Sequence, residues 1–203
     1  MTKSPQYIKI IVEVILMFND FYGTYKNARN GSWLFLIDYN INQIPVDLKT
    51  ITDKLGIKVR FDNGKALDFG QRGATMIDDT TPYIVIRKES SIGETRYTIA
   101  HELGHIYLGH PMVNGKYART FDINNANEYE AERFAIDILA PACVLWGLNL
   151  HTAKDISEAC NISMPAAQRR AERMAVLYQR NRFLTSPLEK QVFQQFKPFI
   201  RNK

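Results

Sequence analysis

The feature that most constrains this chain is a predicted helix that carries two histidines four residues apart. Ser91 followed by Glu94 is a capping-box pattern, which predicts a helix from about Ile92 to Leu108. An α-helix turns about 100° and rises about 1.5 Å per residue, so His101 and His105 project from one face. The apolar residues of this helix cluster on the opposite face, which indicates a buried helix rather than a surface one.

The histidine pair suits a metal ion. Two neutral imidazoles at this spacing can share a tetrahedral zinc ion, with bonds of about 2.0–2.1 Å. Glu102 lies about 100° around the helix from His101, which is poor for a third ligand but places its carboxylate beside a zinc-bound water. There it would act as the general base and pass the proton to a leaving amine. The alternative is a chance match with two surface histidines, against which the buried back of the helix argues.

A second predicted helix, from Glu128 to Ala140 and ended by Pro141, supplies a third ligand. One of its faces carries residues at spacings of three, four and seven: Glu128, Ala131, Glu132 and Ala135. The two alanines allow this face to pack closely on the histidine helix. We therefore predict Glu128 as the third ligand of one zinc ion. Three protein ligands and a water are typical of a catalytic zinc site, whereas four protein ligands are typical of a structural one.

The other polar residues near these helices receive different roles. Glu132 is predicted to accept a hydrogen bond from an imidazole N–H or to orient another site residue. Glu130 points about 200° away from Glu128 and suits a helix cap with Asn127. His110 could bind metal, but the glycine and proline on either side of it favour a chain that has already turned away.

The segment before the histidine helix predicts a small sheet. A short helix follows Pro45 and ends at Gly56. Three apolar segments come after it, separated by turn-forming residues: Ile57–Phe61, Ala74–Ile77 and Tyr83–Ile86. We predict three short antiparallel strands and hence an α+β fold, with a small antiparallel sheet packed on the zinc-binding helices. The last strand is a candidate edge along which an extended peptide substrate lies.

The C-terminal part of the chain is helical and basic. Thr152–Cys160 and Pro165–Gln179 are two predicted helices joined by a short turn, which resembles a helix-turn-helix pair. After Cys160 nine basic residues face two acidic ones, so this part carries +7 and the rest of the chain −2 of the total +5. Contact with duplex DNA is one interpretation, and contact with an acidic protein is another. The third is a packing subdomain, because the second helix has small and apolar residues at core-like positions: Ala166, Ala167, Ala171 and Met174.

The apolar run Ile8–Phe18 is the one segment that could be mistaken for a targeting or membrane-spanning sequence. It is too short to span a bilayer, it carries Lys9 and Glu13, and no small-residue cleavage site follows it. We therefore predict the buried stripe of an ordinary helix and a cytoplasmic protein without membrane contact. Two cysteines, Cys143 and Cys160, exclude a disulfide scaffold and are predicted to be buried free thiols.

Taken in this order, the motifs resemble the ImmA/IrrE family of zinc metallopeptidases. The resemblance covers roughly residues 45–179, and it rests on three segments: the helix-strand unit Pro45–Phe61, the run 95–100 leading into His-Glu-Leu-Gly-His, and the later Glu-Tyr-Glu-Ala-Glu-Arg-Phe-Ala with a proline after its helix. It implies a zincin-like domain in which His101, His105 and Glu128 hold zinc and Glu102 is catalytic. Glu132 stands where this family more often has Asn or Asp, and Ala140-Pro141 replaces the more usual Met-Pro.

The resemblance also implies a function and a division of the chain. It implies a metalloendopeptidase of cytoplasmic regulatory proteolysis, whose substrate is a protein such as a helix-turn-helix repressor of a mobile element or stress response. The alternative is a DNA-binding or antitoxin-like regulator whose zinc site is not catalytic. The predicted parts are an N-terminal helical extension at 1–44, the metallopeptidase domain at 45–146 and the basic helical region at 147–203.

Overall fold

Helices dominate the part of the chain that the computed structural model describes, which comprises residues 23–78, 81–113, 116–117 and 126–203. In chain order the elements are α1 (residues 23–38), α2 (Leu48–Lys54), β1 (Lys58–Asp62), β2 (Gly73–Asp78), β3 (Thr81–Arg87), α3 (Ile92–Tyr107), β4 (Met112–Val113), β5 (Lys116–Tyr117), α4 (Ala126–Leu139), α5 (Ala142–Gly147), α6 (Ala153–Cys160), α7 (Met164–Gln179) and α8 (Pro187–Arg201). The predicted α+β class is confirmed. The predicted apolar run Ile8–Phe18 lies outside the described residues.

The sheet has the order β1-β3-β2-β5-β4 and is mixed. All pairings are antiparallel except that of β1 with β3, which is parallel, so the prediction of a wholly antiparallel sheet is wrong at this one pair. The chain reverses once between β1 and β2 and again between β2 and β3, which leaves β1 and β3 running the same way. Because β3 pairs on both sides, its backbone has no free edge, and the candidate substrate edge at Tyr83–Ile86 is also wrong.

The two helices that carry the motif form as predicted and pack against each other. At the start of α3 the Ser91 side chain accepts a hydrogen bond from the Glu94 backbone N–H, and the Glu94 carboxylate accepts one from the Ser91 backbone N–H. β3 buries Ile84 and Ile86 in the same core as Leu103 of α3. The sheet and α4 therefore hold α3 between them, and α3 is the element that carries both histidines.

One hydrophobic core connects the early and late parts of the chain. Its buried members extend from Trp33 in α1 to Phe196 in α8. The division into parts at 1–44, 45–146 and 147–203 stays a prediction. The cysteines Cys143 and Cys160 are buried free thiols, as predicted. Among the described residues, no helix combines the length and the apolar character that crossing a membrane requires.

The helix-turn-helix-like pair is present as α6 and α7. The Thr152 side chain caps the start of α6, and Asn161 ends it in the left-handed region at φ 52°. On α7, Ala166, Ala167 and Met174 are buried in the main core. This burial confirms that α7 packs against the rest of the protein, as the third interpretation of this region predicted.

Candidate metal centre and cleft

The metal-site residues converge because α3 and α4 approach each other very closely. A Cβ atom on Gly104 of α3 would lie 3.1 Å from Ala131 Cα of α4, so glycine and alanine together bring the two backbones near. Glu128 lies one helical turn before Ala131 on the same face of α4. This packing directs its carboxylate towards the buried imidazoles of His101 and His105.

The three side chains have the spacing of a metal-ligand set. His101 Nε2 and His105 Nε2 are 3.1 Å apart, and each lies 3.3 Å from an oxygen of Glu128. Zinc bonds of about 2.0–2.1 Å in tetrahedral geometry place ligand atoms about 3.3–3.4 Å apart, so the observed spacing fits one small cation. The structure thus brings together all three residues that the sequence predicted as ligands.

The electrostatics of the group also call for a cation. Glu128 Oε1 is buried and has no hydrogen-bond donor among the described residues. Burial by itself would raise the pKa of Glu128, but the imidazoles of His101 and His105 lower it below its usual range. The site therefore gathers an ionised carboxylate and two imidazole nitrogens at one point, and a metal ion would satisfy all of them.

His110 contacts the ring nitrogen of His105 that faces away from the metal group, and the sequence analysis did not predict this contact. Its Nδ1 lies 2.9 Å from His105 Nδ1, and its Nε2 lies 3.0 Å from Glu130 Oε2. For His105 Nε2 to bind a metal, its Nδ1 must carry the proton and donate to His110, which then donates from Nε2 to Glu130. Burial lowers the pKa of His110 despite the opposing effect of Glu130, which favours the neutral ring that this chain of hydrogen bonds needs.

The position of His110 follows from how α3 ends. Gly109 adopts φ 70°, its N–H bonds to Ile106 O, and the His110 N–H bonds to His105 O at 3.0 Å. This is a Schellman turn, which brings the second residue after the helix cap back onto the last turn. The expectation that His110 turns away from the site is therefore wrong, as is the assignment of Glu130 to a cap alone. Gly109 directly after the predicted helix was a signal for this turn in the sequence, and the return of His110 towards His105 could have been predicted from it.

Glu132 is exposed, and its carboxylate lines the cleft beside the metal group. Its backbone carbonyl accepts a hydrogen bond from the Tyr97 hydroxyl at 3.4 Å. The role predicted for Glu132, the orientation of an imidazole, stays a prediction. The contact to the second ring nitrogen of His105 is made by His110 instead.

Glu102 is the remaining motif residue, and it points to a different neighbour. Its side chain is only 2% exposed, and its Oε2 accepts a hydrogen bond from Thr75 Oγ1 at 2.9 Å. Thr75 lies on β2, 27 positions earlier in the chain, so no local spacing in the sequence could have paired the two. The Thr75 hydroxyl therefore holds the Glu102 carboxylate in place through Oε2.

A cleft of about 660 Å³ opens beside the metal group. One wall is α3 and α4, and the opposite wall includes Ser163, Pro165 and Arg169 at the start of α7. A Cβ atom on Gly93 would lie 2.6 Å from the Ser163 backbone nitrogen, so α7 meets the start of α3 backbone against backbone. The start of α7, the second helix of the helix-turn-helix-like pair, thus forms a wall of the cleft.

The model of one protein family, Peptidase M78 or IrrE N-terminal-like domain, matches residues 52–172. The matched region begins inside α2 and ends inside α7, so it includes the sheet, both helices of the metal group and the wall contributed by α7. No curated protein matches the chain at a significant level.

Proposed function

Because the chain belongs to the IrrE N-terminal-like family of M78 peptidases, we propose that it is a zinc-dependent endopeptidase that cleaves a cytoplasmic regulatory protein. The observation that carries the proposal is the set of ligand atoms on His101, His105 and Glu128, spaced 3.1–3.3 Å apart, on the helix that also carries the buried Glu102. This set of three ligands leaves a fourth tetrahedral position open to water or substrate, as in catalytic rather than structural zinc sites.

The proposed mechanism divides the work among these side chains. His101, His105 and Glu128 hold the ion, and His110 with Glu130 fixes the ring of His105. A zinc ion bound there supplies a Lewis acid that polarises the scissile carbonyl and lowers the pKa of a water molecule. Glu102, which Thr75 holds in place, takes the proton of the attacking water and delivers it to the nitrogen of the leaving amine.

The shape of the cleft supports a peptide as the substrate. Its volume of about 660 Å³ exceeds what a single amino acid needs, and its lining mixes both signs of charge, with Arg72, Glu94, Glu132 and Arg169. An Arg72–Glu94 ion pair at 3.4 Å neutralises one side of the cleft. Such a lining suits the backbone amides of an extended segment more than a strongly charged ligand.

The proposed substrate is a helix-turn-helix repressor, the class that the family resemblance implies. The test is a comparison of cells that produce the wild-type protein with cells that produce Glu102→Gln, in which new protein N-termini are identified by mass spectrometry. We expect truncated repressor fragments with the wild type only, while zinc content is the same in both proteins. The matched control is Glu89→Gln, which neutralises an exposed carboxylate outside the metal group. Equal cleavage by the Glu102→Gln protein would overturn the assignment of the general base.

Metal removal provides the second arm of the test. His101→Ala is expected to lose both bound zinc and cleavage, because the remaining His105 and Glu128 hold a metal weakly. A purified wild-type protein that contains no zinc after growth in zinc-supplemented medium would contradict the proposal. Zinc bound at full stoichiometry without any cleavage product would instead favour the alternative of a regulator with a silent metal site.

DNA binding by the C-terminal part is less well supported by the contacts of α7. Arg170 is 1% exposed and donates to Asp137, and Arg173 donates to the Tyr25 hydroxyl at 2.7 Å. The start of α7, where a recognition helix would contact bases, lines the cleft. Duplex binding that weakens steeply with salt and persists in Glu102→Gln would revive this alternative.

A further inference from the structure

A second polar cavity, of about 330 Å³, lies where α4 meets α1, α7 and α8. Asp137 and Glu189 are the acidic residues in its lining. Six arginines line it: Arg29, Arg133, Arg170, Arg173, Arg180 and Arg182. The described lining therefore has a formal excess of four positive charges. We call this space the arginine cavity.

The acidic residues of the arginine cavity are already engaged. Asp137 is buried and accepts hydrogen bonds from Arg133 Nε and from Arg170 Nη1, each at 2.8 Å. Glu189 accepts a hydrogen bond from the Thr185 backbone N–H at 3.0 Å, and burial raises its pKa, which disfavours its charged form. The Asp137 carboxylate is thus shared by two arginines, and Glu189 is the one other carboxylate in the described lining.

Several guanidinium nitrogens in the arginine cavity are buried without a partner. Nε and Nη2 of Arg170, and Nε of both Arg29 and Arg173, have no hydrogen-bond acceptor among the described residues. Arg170 lies at the bottom of the arginine cavity and is only 1% exposed. Buried N–H donors of a permanently charged group almost always find an acceptor, so the arrangement is incomplete as it stands.

Aromatic rings hold the arginine walls in place. The Tyr25 ring has the guanidinium carbons of Arg133 and Arg173 at 4.7 and 5.4 Å from its centroid, and the Trp33 ring has that of Arg29 at 4.9 Å. A guanidinium that stacks on a ring face uses its flat surface there and keeps its N–H groups, which lie in its plane, for other partners. The rings thus position these cations, and apart from the hydrogen bond from Arg173 to the Tyr25 hydroxyl they leave the guanidinium N–H groups to other partners.

We propose that the arginine cavity binds a small ligand that carries a phosphate group. Guanidinium forks match phosphate oxygens in pairs, and a dianion offsets more of the fourfold positive excess than a single carboxylate does. The volume equals that of roughly eleven water molecules in the liquid, at about 30 Å³ each, which accommodates a phosphate together with an attached group. Arg180 and Arg182 are exposed at the rim while Arg170 is fully buried, so the ligand must be small enough to reach the floor.

The test is calorimetric titration of the full-length, zinc-loaded protein with inorganic phosphate and, separately, with adenosine monophosphate. We expect saturable binding of one ligand per protein, weakened about tenfold or more by Arg173→Gln and by Arg29→Gln. The matched control is Arg201→Gln, which removes the same charge from an exposed position outside the cavity lining. Tighter binding of adenosine monophosphate than of phosphate identifies an organic phosphate as the ligand class, and equal binding identifies the free ion.

Further arms of this experiment separate the site from general charge effects. Arg182→Gln changes an exposed rim residue and keeps the buried network intact, so it tests the proposal even where a deeper variant unfolds. It is expected to weaken binding about two- to fivefold. Binding in Glu102→Gln must equal that of the wild type, because the site does not depend on peptidase activity. Absence of saturable binding, equal losses in Arg173→Gln and Arg201→Gln, or displacement of phosphate by duplex DNA at equal charge concentration would overturn the proposal.

Discussion

The two ends of α4 face opposite kinds of polar cluster. Near its start, Glu128 and Glu130 meet imidazole nitrogens, and the group concentrates lone pairs around one point. One to two turns later, Arg133 and Asp137 lie in a cluster where N–H donors outnumber acceptors. His101 and His105 of the first cluster and Arg170 and Asp137 of the second are buried, so these groups cannot leave a surplus to water. The comparison teaches that a buried surplus of one sign indicates a ligand of the other, and we accordingly propose a cation at the first end of α4 and an anion at the second.

The largest expected effect at the metal end comes from removing the proposed general base, Glu102. Glu102→Gln keeps the hydrogen bond from Thr75 but cannot accept a proton, so cleavage should fall by about 10²–10⁴-fold while zinc binding is unchanged. Single-turnover cleavage of a verified substrate measures this loss. A loss below about tenfold would mean that another group takes the proton.

At the arginine end, removal of the shared carboxylate should cost stability. Asp137→Ala leaves Arg133 and Arg170 without their common acceptor in a buried position, and the free energy of unfolding should fall by about 3–5 kcal/mol. Urea denaturation followed by circular dichroism measures this change.

The control for Asp137→Ala is Asp53→Ala, which removes the exposed Lys49–Asp53 pair. That pair joins Lys49 Nζ and Asp53 Oδ2 at 2.6 Å on the surface of α2. Because water screens it, its loss should lower the free energy of unfolding far less than the loss of Asp137 does. An equal loss in the free energy of unfolding for the two variants would contradict the view that Asp137, Arg133 and Arg170 form a buried network.

A smaller effect, on zinc affinity, distinguishes the two candidates for orienting the ring of His105, which are His110 with Glu130 and, from the sequence prediction, Glu132. His110→Ala removes the acceptor for His105 Nδ1 and should weaken zinc binding by about 10–100-fold. Competition with a chromophoric chelator measures the affinity. Glu130→Gln should show part of the same loss, and Glu132→Gln should show almost none. The reverse order for the two glutamate variants would restore the role predicted for Glu132 from the sequence.

The smallest expected effect is a pH dependence at the arginine end. Burial raises the pKa of Glu189 in the folded state, so ionisation of this group favours the unfolded chain as the pH rises through its ordinary pKa. In Glu189→Gln, which can still accept the Thr185 N–H, that contribution disappears, and the free energy of unfolding should depend less on pH between pH 4 and pH 7. Urea midpoints across this range measure it, and an unchanged slope would place the titration elsewhere.

The metal end was predictable because its information is local in the sequence. Four-residue spacing placed His101 and His105 on one face, and the alanines of α4 predicted the approach that brings Glu128 to them. The strands β1, β2 and β3 were found for the same reason, since apolar alternation and turn residues are read over a few positions, whereas the two-residue strands β4 and β5 were not predicted. The parallel pairing of β1 with β3 was missed because strand order depends on which neighbour each strand finds after the chain reverses.

The arginine end was not predictable from spacing. Its members come from α1, α4, α5, α7, α8 and the segment between α7 and α8, and some are far apart in the chain, as with Arg173 and Tyr25, which are 148 positions apart. In the sequence these arginines belong to a basic C-terminal part, and a basic part is read first as a surface for polyanions. Only the packing of α7 on α1 and α4 shows that Arg170 and Arg173 face inward.

The close approach of Gly93 to the Ser163 backbone limits how much the width of the cleft can vary. At that point the main chains of two helices meet with no side chain between them, so the width of the cleft there is a property of the backbone. A residue with a Cβ atom at position 93 would push α3 and α7 apart, and the cleft would become wider for every segment bound in it. Gly93 therefore sets the distance between α3 and α7 at this point. In a protein with this architecture, exchange of the side chains that line the cleft can change the preferred substrate while the width of the cleft stays the same.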